Sequence, residues 1–369
     1  MLGVKSSPAR LWKGFGVGLL AVMASGPGEL VPEAGPKLGQ PFGDFRFLKG
    51  GSVAHIVTIG EALVEIMRTS RDQPLDQPAE FSGPYPSGAP AIFASAAARL
   101  GASVGFVGTV GDDPFGHCLL RRLLADGVDC SALRQTRERL TGIAFVAYRS
   151  DGSRSFIFHL SQSAAALVDV DQLPQGYLDE TRYLHIMGSA LTLSEGMRRA
   201  CYHAAEVVHA QGGTVSLDPN LRPELMSVER IRTVCEPVLR LARIVLPSGP
   251  ELTALTGAAT PEEGAKRLLD AGVSLVALKQ GELGSTLYTS QGMTYIPAYH
   301  VTEVDPTGAG DCYDAALLVG LSEGWSPEMA GLFANAVGAL ATTRLGPMEG
   351  TFSRQEVLAF MAAQGRPLK

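Results

Sequence analysis

Short apolar runs alternate with longer segments of helical spacing over most of the chain. The first run, residues 55–60, reads His-Ile-Val-Thr-Ile-Gly, which is typical of a buried strand that ends at a glycine. Later runs of this kind cover 104–108, 183–187, 215–217, 244–246 and 275–279. Helix-like segments cover 91–100, 118–126, 194–211, 228–241, 262–271, 313–321 and 331–343. Repeated strand–helix units predict an α/β fold with a mostly parallel sheet covered on both faces.

One segment breaks this alternation. Residues 142–148 are apolar and strand-like, Asp151-Gly152 is a two-residue hairpin signal, and residues 154–159 form a matching second strand. A hairpin inserted into a parallel α/β chain predicts a small flap outside the main sheet.

The first fifty residues differ from the rest of the chain. Lys5, Arg10 and Lys13 precede a short apolar run at 15–24, and Gly and Pro then dominate as far as Gly51. A signal peptide has this order of basic, apolar and small residues. The alternative, which we favour, is an extension outside the native domain. Either way we expect residues 1–52 to be poorly ordered and a catalytic domain to cover 53–366.

Composition narrows the class of protein. Of the 369 residues, 46% are hydrophobic and 18% are charged, which is typical of a soluble protein with a substantial core. The net charge of −6 gives no signal for nucleic acid as a partner, and the apolar run at 15–24 is too short to span a membrane. Five scattered cysteines without a Cys-x-x-Cys pair indicate a reducing, cytoplasmic location.

Polar residues collect where the predicted strands end. Ligands of parallel sheets bind beyond the carboxyl ends of the strands, so this shared position favours a functional site. Turn formation is the other common use of such residues. The residues concerned are Asp218, Asn220, Arg222, Ser248, Glu251, Lys279, Asp305 and Asp311.

The octet Val304-Asp305-Pro306-Thr307-Gly308-Ala309-Gly310-Asp311 carries the strongest chemical signal. A strand-like run with Tyr295, Ile296, Val301 and Val304 comes before it, and an apolar helical segment follows. Small residues at the start of a helix let a ligand approach the backbone, and the first helical amides favour an anion. Asp311 beside such an anion suggests a proton acceptor, whereas the alternative interpretation is an ordinary helix cap.

From about Val53 to Met361 the chain resembles the ribokinase-like carbohydrate kinases, also called the PfkB family. The C-terminal match is residues 305–311, Asp-Pro-Thr-Gly-Ala-Gly-Asp, and the N-terminal match combines Ser87-Gly88-Ala89-Pro90 with residues 98–101 and 110–116. The resemblance implies a three-layer αβα fold with a central, mostly parallel sheet and a small β lid from about 67–83 and 142–160.

The resemblance also implies the roles of individual residues. Asp311 is expected to be the catalytic base, and Gly308, Ala309 and Gly310 are expected to stabilise the transferring phosphoryl group. ATP with Mg²⁺ is the expected cosubstrate, with Glu251 holding Mg²⁺ through water. The residues expected near ATP are Ser248, Glu251, Lys279, Gly281, Gly284 and Asn335, the last of which could equally be a helix-surface residue. A K⁺ ion is expected from Asp305, Thr307, Ala341, Arg344 and Gly346, several through backbone carbonyls.

On the sugar side, the matching positions are Glu65, Ser87, Gly88 and Arg222. Glu65 replaces a frequent Asp, Ser87 replaces the first Gly of a Gly-Gly pair, and Ile92 replaces a frequent Asn, which argues against ribose. Arg222 could contact phosphate or a sugar carboxylate, or form a salt bridge at a loop.

The predicted function is therefore an ATP-dependent kinase of a ketohexose. The chain looks most similar to a bacterial subgroup associated with tagatose, with fructose and 2-keto-3-deoxygluconate as alternatives. An alternative of another class is a nucleotide- or sugar-binding regulator without turnover. A nucleoside kinase is less favoured, a homodimer is possible, and neither nucleic acid nor a membrane is an expected partner.

Overall fold

The computed structural model describes residues 55–151, 153–221 and 226–368. The predicted extension 1–52, the hairpin residue Gly152 and the candidate ligand Arg222 lie outside these ranges. The described strands, β1 to β13, are Ile56–Ile59, Leu63–Arg68, Phe81–Ser87, Val104–Gly111, Leu133–Thr136, Gly142–Tyr148, Arg154–His159, Tyr183–Met187, Thr214–Asp218, Ala242–Val245, Leu275–Lys279, Gly284–Thr289 and Gly292–Pro297. The described α-helices, α1 to α10, are Ala89–Arg99, Pro114–Asp126, Gly188–Leu193, Glu195–Ala210, Val228–Leu239, Glu251–Thr256, Pro261–Asp270, Ala309–Ser322, Pro327–Ala341 and Arg354–Ala363.

Nine of the described strands form the central sheet, in the order β13-β12-β11-β10-β9-β8-β1-β4-β5. The strands from β11 to β5 are parallel, and β12 and β13 continue the sheet as an antiparallel edge. All residues of β1 and β11 are buried, as expected for strands covered on both faces. The predicted α/β fold with a mostly parallel sheet is confirmed.

Helices cover both faces of this sheet. Along β1, Ile56 joins one apolar core, which contains much of α1, α8 and α9, while Val57 and Ile59 join a second core with α4 and α5. Alternate residues of a strand point to opposite faces, so the two cores lie on opposite sides of the sheet. The result is the predicted αβα arrangement of three layers.

The other four described strands form a second sheet, in the order β3-β2-β6-β7. The strands β6 and β7 pair antiparallel, as predicted from their sequence, and β2 pairs parallel with β6 and antiparallel with β3. We call this the lid sheet. Strand β2 begins before the predicted lid segment 67–83, and strand β3 ends after it. The residues between the two strands, 69–80, are irregular.

Two boundaries around the octet differ from the prediction. The strand before it, β13, ends at Pro297, so Val301 and Val304 belong to an irregular segment; Val304 is 48% exposed. The sequence pattern includes Val301 and Val304 in a strand because both residues favour strands, but neither pairs with a neighbouring strand. The helix after it, α8, begins at Ala309 rather than Tyr313, which places Asp311 inside its first turn.

None of the helices in the described ranges combines the length and apolar character that crossing a bilayer requires.

Candidate active site

The catalytic turn, residues 304–311, ends at the start of α8. Gly308 is the N-cap residue, with a φ of 81°, and a Cβ there would lie 2.6 Å from the Pro347 carbonyl oxygen. Glycine is therefore required by both conformation and space. The Ala309 amide donates a long hydrogen bond of 3.3 Å to the Pro306 carbonyl, so this predicted anion donor already has an acceptor. The amides that follow in the first turn have no acceptor within the helix.

Asp311 is the third residue of α8, 7% exposed, and it lines a cavity of about 260 Å³. The helix cap is Gly308, which has no side chain, so the interpretation of Asp311 as an ordinary cap is wrong. A carboxylate near a helix N-terminus is favoured by the helix dipole. The side chain therefore lies where it can meet a bound molecule.

A second, larger cavity of about 780 Å³ adjoins the smaller one. Ser248, Lys279, Pro306 and Gly310 line both cavities. The two cavities thus meet at the first turn of α8. A group could pass here from a molecule in the larger cavity to one in the smaller.

Five acidic side chains line the smaller cavity, together with hydrophobic side chains and the two cations Arg154 and Lys279. These acids are Glu61, Glu65, Asp218, Glu251 and Asp311. The candidates Ser87 and Gly88 also line it, and the Ser87 hydroxyl donates a hydrogen bond of 2.7 Å to Glu65 Oε1. A Cβ at Gly88 would come within 2.4 Å of the Glu61 carbonyl oxygen, so only glycine fits there. Carboxylates in such a cavity can accept several hydrogen bonds from hydroxyl groups.

Lys279, at the end of β11, lies in a buried cluster of charges. Its Nζ is 3.1 Å from Asp218 Oδ2 and 2.9 Å from both oxygens of Asp314. Burial alone would lower the pKa of Lys279, but attraction to Asp218 and then Asp314 outweighs burial and raises it. Burial works against ionisation of Asp218 too, yet Lys279 lowers the pKa of that carboxyl. Burial raises the pKa of Asp314 well above its ordinary value. The ammonium is therefore charged and paired with Asp218.

Glu251, at the start of α6, connects two loops of the site. Its oxygens accept backbone hydrogen bonds from Leu221 at 2.8 Å and Ser248 at 2.7 Å. Burial raises the pKa of Glu251 to about 7, and the charge of Asp218 adds to this rise. The positive charge of Lys279 opposes this rise in pKa without cancelling it. Within the described ranges, no group of three or more His, Cys, Asp or Glu side chains could hold a metal ion by itself.

The larger cavity contains the remaining nucleotide candidates. Gly281, Gly284 and Asn335 all line it. The Asn335 side chain is buried and donates to the Ile296 carbonyl at 2.8 Å, so the alternative of a helix-surface residue is wrong. A Cβ at Gly281 would meet no atom within 4 Å, whereas one at Gly284 would lie 2.2 Å from the Ile296 carbonyl oxygen, so Gly281 is the glycine that leaves space for a ligand.

Two of the candidate K⁺ residues, Thr307 and Gly346, contact Asp305, which is 1% exposed. Its carboxylate accepts hydrogen bonds from the Thr307 amide and the Gly346 amide, both at 2.9 Å. The end of α9 also contacts this turn, since the Asp305 amide donates to the Thr342 carbonyl at 3.0 Å. Ala341 is buried there, and Arg344 directs its side chain to solvent.

Sequence reasoning did not assign several residues that the structure brings to the site. These are Glu61, Asp314, Tyr148, Arg154, Phe156 and Phe158. Glu61 directly follows the glycine that ends the first strand run, so the strand-end rule could have found it. The lid residues could not be found in this way, because only the fold places the lid sheet over the cavity.

Comparison with known proteins agrees with this geometry. The model of the pfkB family of carbohydrate kinases matches residues 53–353. This chain belongs to that family. It is a sugar kinase. The Arabidopsis thaliana protein named "Probable fructokinase-3" is 35% identical over 323 residues, covering 85% of this chain and 93% of the relative. Rice Fructokinase-1 (Oryza sativa subsp. japonica) is 34% identical, covering 83% and 97%.

Solved structures give the same result. An E. coli protein provisionally described as ribokinase II, in complex with ATP and Mg²⁺, has a TM-score of 0.80 and 41% identity, covering 84% of this kinase and 99% of that chain. A Vibrio cholerae fructokinase double mutant bound to fructose, ADP and potassium has a TM-score of 0.74 and 29% identity, covering 85% and 99%. The predicted ribokinase-like fold is confirmed.

Proposed function

We propose that this kinase transfers the γ-phosphate of ATP to a hydroxyl group of a ketohexose, and that fructose is the substrate. The observation that carries the proposal is Asp311, which lines the smaller cavity and directly follows Gly310, a residue of both cavities. The curated relatives described above are named fructokinases, which supports fructose over our first choice, tagatose.

The reaction needs one base and one anion-stabilising turn. Asp311 would accept the proton of the sugar hydroxyl while the hydroxyl oxygen forms a bond to the γ-phosphorus of ATP. The bond between the γ-phosphorus and the oxygen that leaves with ADP would break. The amides at the start of α8 would stabilise the charge on the transferring group. Removal of one such donor typically costs a factor of about 10²–10³ in rate.

The cavity chemistry favours a neutral sugar. Five carboxyl side chains line the smaller cavity and can accept hydrogen bonds from sugar hydroxyls. Arg154 and Lys279 line it as well, but Lys279 is paired with Asp218 and Arg154 donates to Thr307. The acids outnumber the cations that a sugar carboxylate could bind, which favours fructose over 2-keto-3-deoxygluconate. Asp311 and the glycine-lined turn together also argue against a regulator without turnover.

The residues fit Mg²⁺ and K⁺ as follows. Mg²⁺ usually binds through one or two carboxylates, waters and substrate phosphates, and the Glu251 carboxylate lines the smaller cavity beside Ser248, a residue of both cavities. Mg²⁺ there would neutralise phosphate charge. K⁺ would be held by Asp305, Thr307 and carbonyl groups of Ala341, Arg344 and Gly346. The cytoplasmic location and the homodimer stay predictions.

The test is a substrate panel with the full chain. ADP release is measured with fructose, tagatose, other ketohexoses, ribose and 2-keto-3-deoxygluconate, and the product is identified by ³¹P NMR. We expect sugar-dependent ADP release with the highest kcat/KM for fructose. A highest kcat/KM for a sugar acid, or ATP binding without turnover of any sugar, would contradict the proposal.

A further inference from the structure

Two side chains of the lid sheet contact the catalytic turn directly. Tyr148, at the end of β6, donates its hydroxyl to Asp305 Oδ1 at 2.7 Å and lies 2.8 Å from Thr307 Oγ1. Arg154, at the start of β7, donates from Nη1 to Thr307 Oγ1 at 3.0 Å. These contacts join two parts of the chain that are about 150 residues apart.

Asp305 is the centre of this contact. Its carboxylate accepts hydrogen bonds from Tyr148, from the Thr307 amide and from the Gly346 amide. One buried carboxylate therefore ties together the lid sheet, the catalytic turn and the turn after α9. Burial and the charge of Asp305 raise the pKa of Tyr148, so its hydroxyl keeps the proton that it donates.

Thr307 connects the two lid side chains with the backbone at the start of α8, where an anion is expected to bind. It directly precedes Gly308, whose left-handed conformation starts α8. Because both side-chain contacts end at Thr307 or at the carboxylate that holds its amide, they restrict the conformation of this residue. A change in the backbone of Thr307 would move Gly308 and redirect the first amides of α8.

Strand β7 of the lid sheet also lines the smaller cavity, where the sugar is proposed to bind. Arg154, Phe156 and Phe158 of β7 all line the smaller cavity. A sugar that packs against this strand would therefore favour the position in which Arg154 reaches Thr307. The lid sheet thus connects occupancy of the cavity with the shape of the catalytic turn.

We propose that Tyr148 and Arg154 are positioning residues that hold the catalytic turn in its phosphoryl-transfer conformation when the lid sheet covers the sugar. This inference rests on the proposed function. It assigns the two residues no contact with the transferring group. Their effect is exerted through Asp305 and Thr307.

The test compares Tyr148→Phe and Arg154→Gln with Arg154→Lys and a control, Arg149→Gln. Arg149 is an exposed arginine of the same hairpin, and its side chain is outside the cavity lining. We expect kcat to fall about 10- to 100-fold in Tyr148→Phe and Arg154→Gln, as for loss of hydrogen bonds that involve charged groups. KM for ATP should stay within about twofold, and Arg154→Lys should recover part of kcat.

A coupled effect distinguishes positioning from a purely structural role. The double variant Tyr148→Phe/Arg154→Gln should lose less than the product of the two single losses, because both residues act on Thr307. Tm should stay close to that of the wild type. An unchanged kcat in both single variants, or a loss of kcat that follows a loss of folded protein, would overturn the proposal.

Hydrogen–deuterium exchange of residues 304–311 tests the contact without any turnover. We expect faster exchange of this segment in Tyr148→Phe than in Arg149→Gln. Equal exchange in the two variants would overturn the positioning role even in an active sugar kinase. If the wild-type protein phosphorylates no sugar, the proposed function is overturned. The exchange comparison would still decide whether Tyr148 holds residues 304–311, because it needs no turnover.

Discussion

Ser87 shows how one hydroxyl group can shape the sugar cavity. It donates a hydrogen bond to Glu65 Oε1, and both side chains are buried at the cavity wall. The sequence identified both positions as departures from a family pattern. Their direct contact could not be predicted, because the residues are 22 positions apart and belong to different strands. The hydrogen bond from Ser87 therefore holds the Glu65 side chain in place at the cavity wall.

We therefore predict that Ser87→Ala raises KM for the sugar about tenfold, because a hydrogen bond to a charged group is lost. KM for ATP should not change. The matched control is Ser82→Ala in the same strand, whose hydroxyl contacts Tyr85 rather than the cavity. Steady-state kinetics with both substrates measures the difference. An unchanged KM for sugar in Ser87→Ala would show that Glu65 does not depend on this contact.

His185 lies beneath the site as a buried neutral side chain. Its Nδ1 is 2.8 Å from the Ser216 hydroxyl, and its ring stacks on Phe93. Burial lowers the pKa of His185 from 6.5 to about 3; Asp218 opposes this shift and Lys279 adds to it. The unfolded chain therefore takes up a proton as the pH falls below 6.5, whereas the folded chain does not.

This difference gives a pH-dependent stability with a definite sign. The contribution of His185 is fully present above pH 6.5 and is lost as the pH falls toward 3. Between pH 7 and pH 5 the wild type should lose about 2 kcal/mol of unfolding free energy through this group. Urea unfolding of His185→Asn should lack that part of the loss. His203→Asn, which changes an exposed histidine of α4, is the control. Equal pH dependence in wild type and His185→Asn would contradict this prediction.

At the scale of elements, the start of α8 is held against the ends of two strands. Asp314 follows Asp311 by three residues, so the two side chains lie on neighbouring parts of one helix face. Asp314 binds Lys279 at the end of β11, and Lys279 binds Asp218 at the end of β9. This cluster fixes the helix that carries Asp311 to the sheet.

The two partners of this cluster should respond differently to substitution. Burial raises the pKa of Asp314, so Asp314→Asn replaces it with a group of similar size and should cost less than about 1 kcal/mol. Lys279→Met leaves the Asp218 carboxylate buried without its cation and should cost about 3–5 kcal/mol. Urea unfolding at pH 7 measures both values. A larger loss in Asp314→Asn than in Lys279→Met would refute the assignment of charge within the cluster.

The sequence predicted the elements of the sheet core well and those of its edge poorly. Runs such as 183–187 and 275–279 are buried on both faces, so their apolar sequence and their bounds coincide. The sequence does not predict the edge strand β12, which mixes polar and apolar residues, and it extends the strand-like run of β13 beyond Pro297 as far as Val304. Likewise, Asp311 as base and Asp311 as cap both place the residue at a helix start, so only the observed helix boundary could distinguish them.

At the scale of the whole molecule, the site gathers residues from many distant segments. Strand ends supply Asp218, Ser248 and Lys279, and this gathering follows from parallel topology, so it could be predicted. The lid contacts at Tyr148 and Arg154 depend on how a second sheet lies over the first. No local pattern in the sequence encodes that arrangement.

The family match and every described site residue lie after residue 52. We predict that removal of residues 1–52 changes kcat and both KM values by less than about twofold. The Tm of the truncated chain should lie within about a few degrees of that of the full chain. The truncated and full chains are compared in the same coupled assay and by thermal unfolding. Insoluble truncated protein, or a large loss of kcat, would show that the extension belongs to the catalytic unit.

The proposed reaction depends above all on Asp311 as the base that accepts the proton of the sugar hydroxyl. The most direct measurement is the rate of sugar phosphorylation by Asp311→Asn, together with ATP affinity by calorimetry. We expect kcat to fall about 10²–10⁴-fold, because the base is lost, while ATP affinity and Tm stay close to the wild-type values. A variant that phosphorylates the sugar at a near-normal rate would contradict this role of Asp311.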